Sequence, residues 1–168
     1  MSEATTRARI YAVVGAVSNI GLVYDYQRWA VRWEDYLSLF KTTISSTSVI
    51  RGWTITCAGW ADSEYLAGSY LQDDGKALVL RRYTFKIRGM FGLDDSAATE
   101  KTAIGIVEDV VEALDGDEKL HAWDAIAEQY FGEQAAATLD IFEPRLFGGA
   151  LCHYAEITQR VTEAVKIS

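Results

Sequence analysis

Proline occurs once in this chain, at Pro144, and cysteine and histidine twice each, at Cys57, Cys152, His121 and His153. These scarcities exclude a good deal. A structural zinc site needs about four nitrogen or sulfur ligands at tetrahedral positions, and those four residues are the whole supply. Cys152 and His153 are adjacent in a predicted strand, so their side chains leave on opposite faces. They cannot share an ion, nor act as a nucleophile and its base. Pairing Cys152 with His121, or Cys57 with His153, stays open, with nothing to mark either. Two cysteines without a spacing motif point to a reduced intracellular setting with buried thiols. A G-x-S-x-G elbow, a P-loop and a G-x-G-x-x-G turn are all missing, and Phe147-Gly148-Gly149 is too bare to cradle a phosphate. A stretch approaching ~20 apolar residues is also missing, so no membrane span is expected. The opening MSEATTRARIYAVVGAV has no basic start followed by an apolar run and a cleavage site, so no secretory signal is expected. A single proline argues against disordered linkers and suits long regular elements.

What is present is ordinary in amount and informative in arrangement. At 168 residues the chain fits one domain spanning 1–168, and a chain of that size buries roughly 70% of its unfolded surface without disulfide or metal. The net charge of −8 opposes binding of a bare phosphate backbone. The one dense basic run is Arg81, Arg82, Lys86 and Arg88. Adjacent acids occur at Asp73-Asp74, a loop tip, and at Asp94-Asp95, a helix start where negative charge complements the helix dipole. Neither reads as a catalytic carboxylate pair. The sequence therefore predicts a protein that is not an enzyme, holds no metal or cofactor, and works through contacts.

Periodicity predicts the elements. A helix is expected over 5–17, capped by Thr5 or Thr6, with Ile10, Val13, Val14 and Val17 on one side. LVYDY (22–26) reads as a strand. Residues 27–42 read as one amphipathic helix capped by Asp25, its face formed by Trp29, Trp33, Tyr36, Leu37 and Phe40. That stripe fits core packing, or a partner groove. SVIRGWTITCAGW (48–60) and ALVLRRYTFKIRGMFG (77–92) read as strands of an antiparallel hairpin with a long exposed tip. In the second, Val79, Tyr83, Phe85 and Ile87 share one face, and Arg82, Thr84, Lys86 and Arg88 the other. Those cations form either a solvated face or a contact to an acidic neighbour, such as another copy of the chain. A helix follows within 93–116, capped by Asp95 or Ser96 and ended by Gly116. A shorter helix is expected over 118–132. Two strands close the chain around Pro144 and Gly148-Gly149. In the last, Leu151, Ala155, Ile157 and Val161 pack, and Glu156, Thr158, Arg160 and Thr162 point away. The order is α-β-α-β-β-α-α-β-β: an α+β fold with one mixed or mostly antiparallel sheet and helices packed on it.

Three blocks carry a resemblance: RARIYAVVGAVSNIGLVYDYQRWAVRWEDYLSLF (7–40), Gly52-Trp53 with YTFKIRGMFGLDDS (83–96), and EPRLFGGALCHYAEITQRV (143–161). Together they resemble a family of small proteins from tailed bacteriophages and prophages, encoded among the head-to-tail joining and tail genes: the tail-terminator, or tail-completion, group. The resemblance implies an α+β subunit that assembles into a ring, a hexamer in that family. The ring caps the tail tube, stops its polymerisation and meets the head-side connector. The implied partners are the chain itself, the tube protein and the neck protein, with no membrane and no sequence-specific nucleic acid, though DNA passes through such a ring. The implied location is the virion tail or neck, and the host cytoplasm during assembly. The hairpin tip (Tyr65, Tyr70, Asp73, Asp74) and the basic strand face (Arg82, Lys86, Arg88) are then expected at subunit or tube interfaces. Another neck or head-completion protein, and a small intracellular enzyme or ligand-binding domain, remain the alternatives.

Overall fold

The computed structural model describes residues 3–30, 32–65, 77–94, 96–120, 123–124, 129–130, 136–147 and 149–167. The elements are α1 (Glu3–Gly15), β1 (Leu22–Tyr24), α2 (Trp33–Ser38), β2 (Lys41–Ile44), β3 (Thr47–Tyr65), β4 (Ala77–Gly92), α3 (Thr99–Asp115), a 3-10 turn (Glu118–Leu120), β5 (Trp123–Asp124), β6 (Gln129–Tyr130), β7 (Thr138–Phe147) and β8 (Ala150–Ile167). The main sheet has the order β1-β3-β4-β8-β7, with β2 also paired to β3, and β5 and β6 form a separate two-stranded ladder. Only β1 runs parallel to its neighbour β3; the other pairings are antiparallel. The fold is α+β, with one mixed six-stranded sheet.

Alternation decides which face of the sheet is covered. Tyr83, Phe85, Ile87 and Phe91 of β4 and Ala155, Ile157 and Val161 of β8 face α1 and α3. They meet Ile10 and Val14 of α1 and Ala103, Ile106, Val107, Val110 and Leu114 of α3. Leu151, expected to pack with this set, is half-exposed instead, because it lies at the sheet end beyond α3. Among the described residues the opposite face is covered at one end, where Leu37 and Phe40 pack on Met90 and Cys152 with help from Tyr24, Tyr36 and Phe147. Buried positions of β4 facing the helices run from Tyr83 to Phe91, about 26 Å of strand. That matches the 17 residues of α3, which span about 25 Å. Beyond them β4 continues from Arg82 back to Ala77, still paired to β3 on one side and β8 on the other. There the sheet is three strands wide, β3, β4 and β8. Trp60, opposite Tyr83 in the register, is 64% exposed.

Several local expectations are corrected. The helix of 27–42 is confined to Trp33–Ser38. Residues 27–30 are irregular and Lys41–Ile44 is a strand, as the β-branched Thr42-Thr43-Ile44 prefers. Asp25 does not cap α2, whose N-cap is Arg32; the Asp25 carbonyl accepts a hydrogen bond from Arg7 Nη1 at 2.9 Å. The predicted helix of 118–132 is a 3-10 turn and the β5–β6 ladder, in which Trp123 and Tyr130 are register partners. His121 and the rest of that stretch lie outside the described residues. Thr5 and Thr6 lie inside α1 rather than ahead of it. α3 begins after Ala98, whose φ is 50° and which offers no side-chain cap. Asp94 organises this approach instead: its carboxylate accepts from Ser96 Oγ at 2.7 Å and Ala97 N at 3.3 Å. These bonds, Ser96 first, hold the Asp94 carboxyl below its usual range. Asp95 lies outside the described residues.

The β2–β3 hairpin turns on Ser45 and Ser46, with φ of 49° and 67°, between the paired Ile44 and Thr47. A two-residue loop with both φ positive is the turn that prefers Asn-Gly. Left-handed backbone costs a non-glycine residue about 1 kcal/mol. Ser45→Asn with Ser46→Gly is therefore expected to raise unfolding free energy by about 1 kcal/mol, read as a higher urea midpoint at unchanged m-value.

Candidate functional site

The strand face that carries the predicted cations is a charge network. Register places Arg88 opposite Glu156, and Lys86 opposite Thr158. The Arg88 Nε donates to Glu156 Oε2 at 2.8 Å and its Nη1 to Thr56 Oγ1 at 3.0 Å. The Lys86 ammonium lies 2.8 Å from Asp140 Oδ2 and 3.0 Å from Glu156 Oε1. The Tyr154 hydroxyl donates to Glu156 at 3.0 Å, and the Thr158 hydroxyl donates to Asp140. Asp140 reaches this cluster because a bulge between Leu139 and Ile141 breaks the β7 register.

The protonation states follow from these contacts. The Lys86 hydrogen bond, then that of Thr158, holds the Asp140 carboxyl below its ordinary value. For Glu156, burial is the largest single influence and pushes upward. The combined hydrogen bonds from Arg88, Lys86 and Tyr154 outweigh it, so the net displacement is downward. Both acids stay ionised at neutral pH. Lys86 and Arg88, expected at a subunit interface, thus have partners within their own chain. Arg82 is exposed and has no partner among the described residues. Tyr65 ends β3 opposite Val79. Tyr70, Asp73 and Asp74 lie outside the described residues.

Next to the network is a cleft of about 400 Å³ lined by Gln27, Trp29, Ala30, Tyr36, Arg88, Arg145, Phe147 and Tyr154. The segment 27–30, irregular rather than helical, leaves Trp29 76% exposed at its rim. Phe147 contacts both Tyr36 and Tyr154, at centroid separations of 6.4 and 6.1 Å. The Arg145 guanidinium stacks on the Tyr154 ring, 4.0 Å from its centroid, and its Nε donates to Glu143 at 2.7 Å. Sequence reasoning missed this cleft. Its one available signal was the alternation of Arg145 and Phe147 along β7, which puts both on the Tyr154 side of β8.

Cys152 and His153 do separate across the sheet. Cys152 is buried among Leu37, Phe40 and Met90, and burial pushes its thiol up, away from the reactive thiolate. His153 faces α3, with Nε2 3.2 Å from Thr99 Oγ1 and its ring stacked parallel to Phe142. Cys57, expected to be buried, is half-buried, because it ends the regular part of β3 at a bulge before Gly59. Among the described residues no group of three or more His, Cys, Asp or Glu could hold a metal ion, and no helix is long and apolar enough to cross a membrane.

No family model and no curated protein matches the chain. The functional reading therefore rests on the chain's own residues.

The blocks meet across β3, on both faces of the sheet. Phe40, from the first, lies over Gly52, where an added Cβ would come within 2.5 Å of its ring. Trp53 is fully buried and lies against Gly89 of the second block, where a Cβ would fall 2.8 Å from the indole. Its Nε1 donates to the Ile20 carbonyl of the first block at 3.2 Å. Phe40 shares its cluster with Cys152, from the third.

Proposed function

We propose that this chain is a structural subunit of a tailed-phage virion. In this reading it is a ring-forming tail terminator that caps the tube, stops its polymerisation and joins it to the head-side connector, without catalytic chemistry of its own. The observation that carries the reading is the convergence of the three blocks on Trp53, Phe40 and their two glycines. Residues far apart in sequence pack on the two faces of β3, Trp53 against Gly89 in the main cluster and Phe40 over Gly52 in the second.

Electron microscopy of particles lacking the protein tests this directly. Overlong tails are the expected result. Normal-length tails that fail to join filled heads would assign the chain to neck completion instead, and normal particles would remove the virion reading.

Arg82 is the sharper probe of the basic face, because Lys86 and Arg88 also serve the fold. Arg82→Glu is expected to leave the circular dichroism spectrum and urea midpoint unchanged and to lower the yield of complete tails at least tenfold. Normal tail yield from this variant would remove Arg82 from any interface.

A further inference from the structure

The cleft beside Tyr154 has apolar walls and charge of one sign. Trp29, Tyr36, Phe147 and Tyr154 make the walls, Arg88 and Arg145 are the two cations, and no acidic residue is among its described lining. Arg88 spends Nε and Nη1 on Glu156 and Thr56, and Arg145 spends Nε on Glu143. The remaining Nη groups have no hydrogen-bond partner among the described residues. Mostly apolar walls with a few convergent polar donors are what a binding cleft requires. The occupant that fits has an aromatic or aliphatic side chain close to a carboxylate, since planar guanidinium groups pair with carboxylates through two parallel bonds.

The chain carries such a segment itself. Residues 66–76, LAGSYLQDDGK, place Tyr70 and Leu71 just before Asp73-Asp74. This segment cannot reach the cleft of its own protomer. It joins Tyr65 to Ala77, the ends of paired strands, and its 11 residues fold back at most about 20 Å. Arg88 lies 11 residues along β4 from Ala77, about 36 Å away.

We propose that the cleft receives segment 66–76 of a second copy of the chain. One end of each copy then meets the other end of the next, a heterologous contact of the kind that closes into a ring. The inference deepens the ring reading and rests on it in taking the partner as a second copy.

The test uses the full chain and a fluorescein-labelled peptide of residues 64–77, followed by fluorescence anisotropy. Saturable binding is expected, weakened at least tenfold by Arg145→Ala in the chain or by Asp73→Asn with Asp74→Asn in the peptide. An Arg145→Glu chain is expected to recover binding to a peptide bearing Asp73→Lys and Asp74→Lys. No saturable binding, or binding indifferent to Arg145, overturns the proposal. A photo-crosslinker replacing Trp29 identifies the occupant in assembling particles. A link to segment 66–76 of another copy supports the contact, and a link to a different chain overturns it. The peptide assay needs no tail, so the two readings fail separately. Overlong tails without peptide binding keep the terminator and remove this contact. Peptide binding with normal tails does the reverse.

Discussion

Trp53→Ala is expected to lower unfolding free energy by about 4 kcal/mol, the largest effect of any single substitution considered for this chain. Trp53 is fully buried on β3 and meets Phe91 edge-to-face, with ring centroids 5.4 Å apart. Its indole N–H also ties β3 to the Ile20 carbonyl. Truncation leaves a cavity under α1 and removes the donor of a buried carbonyl, so the packing and hydrogen-bond losses add. Gly89 tests the same contact from the other side. An alanine there would place its Cβ 2.8 Å from two indole carbons, and the rigid ring cannot yield without moving β3. Gly89→Ala is expected to cost about 2 kcal/mol. Combined with Trp53→Phe it is expected to cost less than the sum of the two single changes, because the smaller ring vacates the space the methyl needs. Urea unfolding of the four chains measures the coupling; strict additivity would mean that Gly89 matters for another reason.

How much of this was legible in advance depended on the range over which each residue's choice is made. The strands of 77–92 and 150–167 could be read because alternation is a local rule, and the faces it assigned to Tyr83, Phe85, Ile87 and Lys86 are those observed. The helix at 99–115 was equally plain. The segment 27–42 misled because Trp29, Trp33, Tyr36, Leu37 and Phe40 fit a helical period whether or not the backbone is helical throughout. Its fate was settled by partners distant in sequence: Gly52 opens room for Phe40, and β3 takes Lys41–Ile44 as a neighbour. The charge network failed for a related reason. Both members were on the page, Arg88 and Lys86 facing away from the core and Glu156 doing the same one strand over. What joins them is the β4–β8 register, which periodicity alone leaves undetermined.

That register makes Glu156 the second large prediction. Its carboxylate is mostly buried and accepts from Arg88, Lys86 and Tyr154. Glu156→Gln removes the charge but keeps the shape, leaving two half-buried cations with one acid, Asp140, between them. The expected loss is about 2 kcal/mol at pH 7, between the values for surface and buried pairs. Its pH dependence separates lost charge from lost packing. Glu156 and Asp140 are both held below the ordinary carboxylate range, so they bind protons more readily unfolded than folded. Their stabilisation is complete above the unfolded value, about 4, and is lost as pH falls through the lower folded values. Lys86 is displaced upward, by its Asp140 hydrogen bond foremost, so its share is complete below its ordinary value of 10.5 and is lost as pH rises through the folded one. Unfolding free energy measured from pH 7 to pH 2.5 should therefore fall more steeply in the parent than in Glu156→Gln, and the two curves should converge at the acid end. Parallel curves would show that Glu156 contributes through packing, and that the ion pairs to Lys86 and Arg88 add nothing to stability.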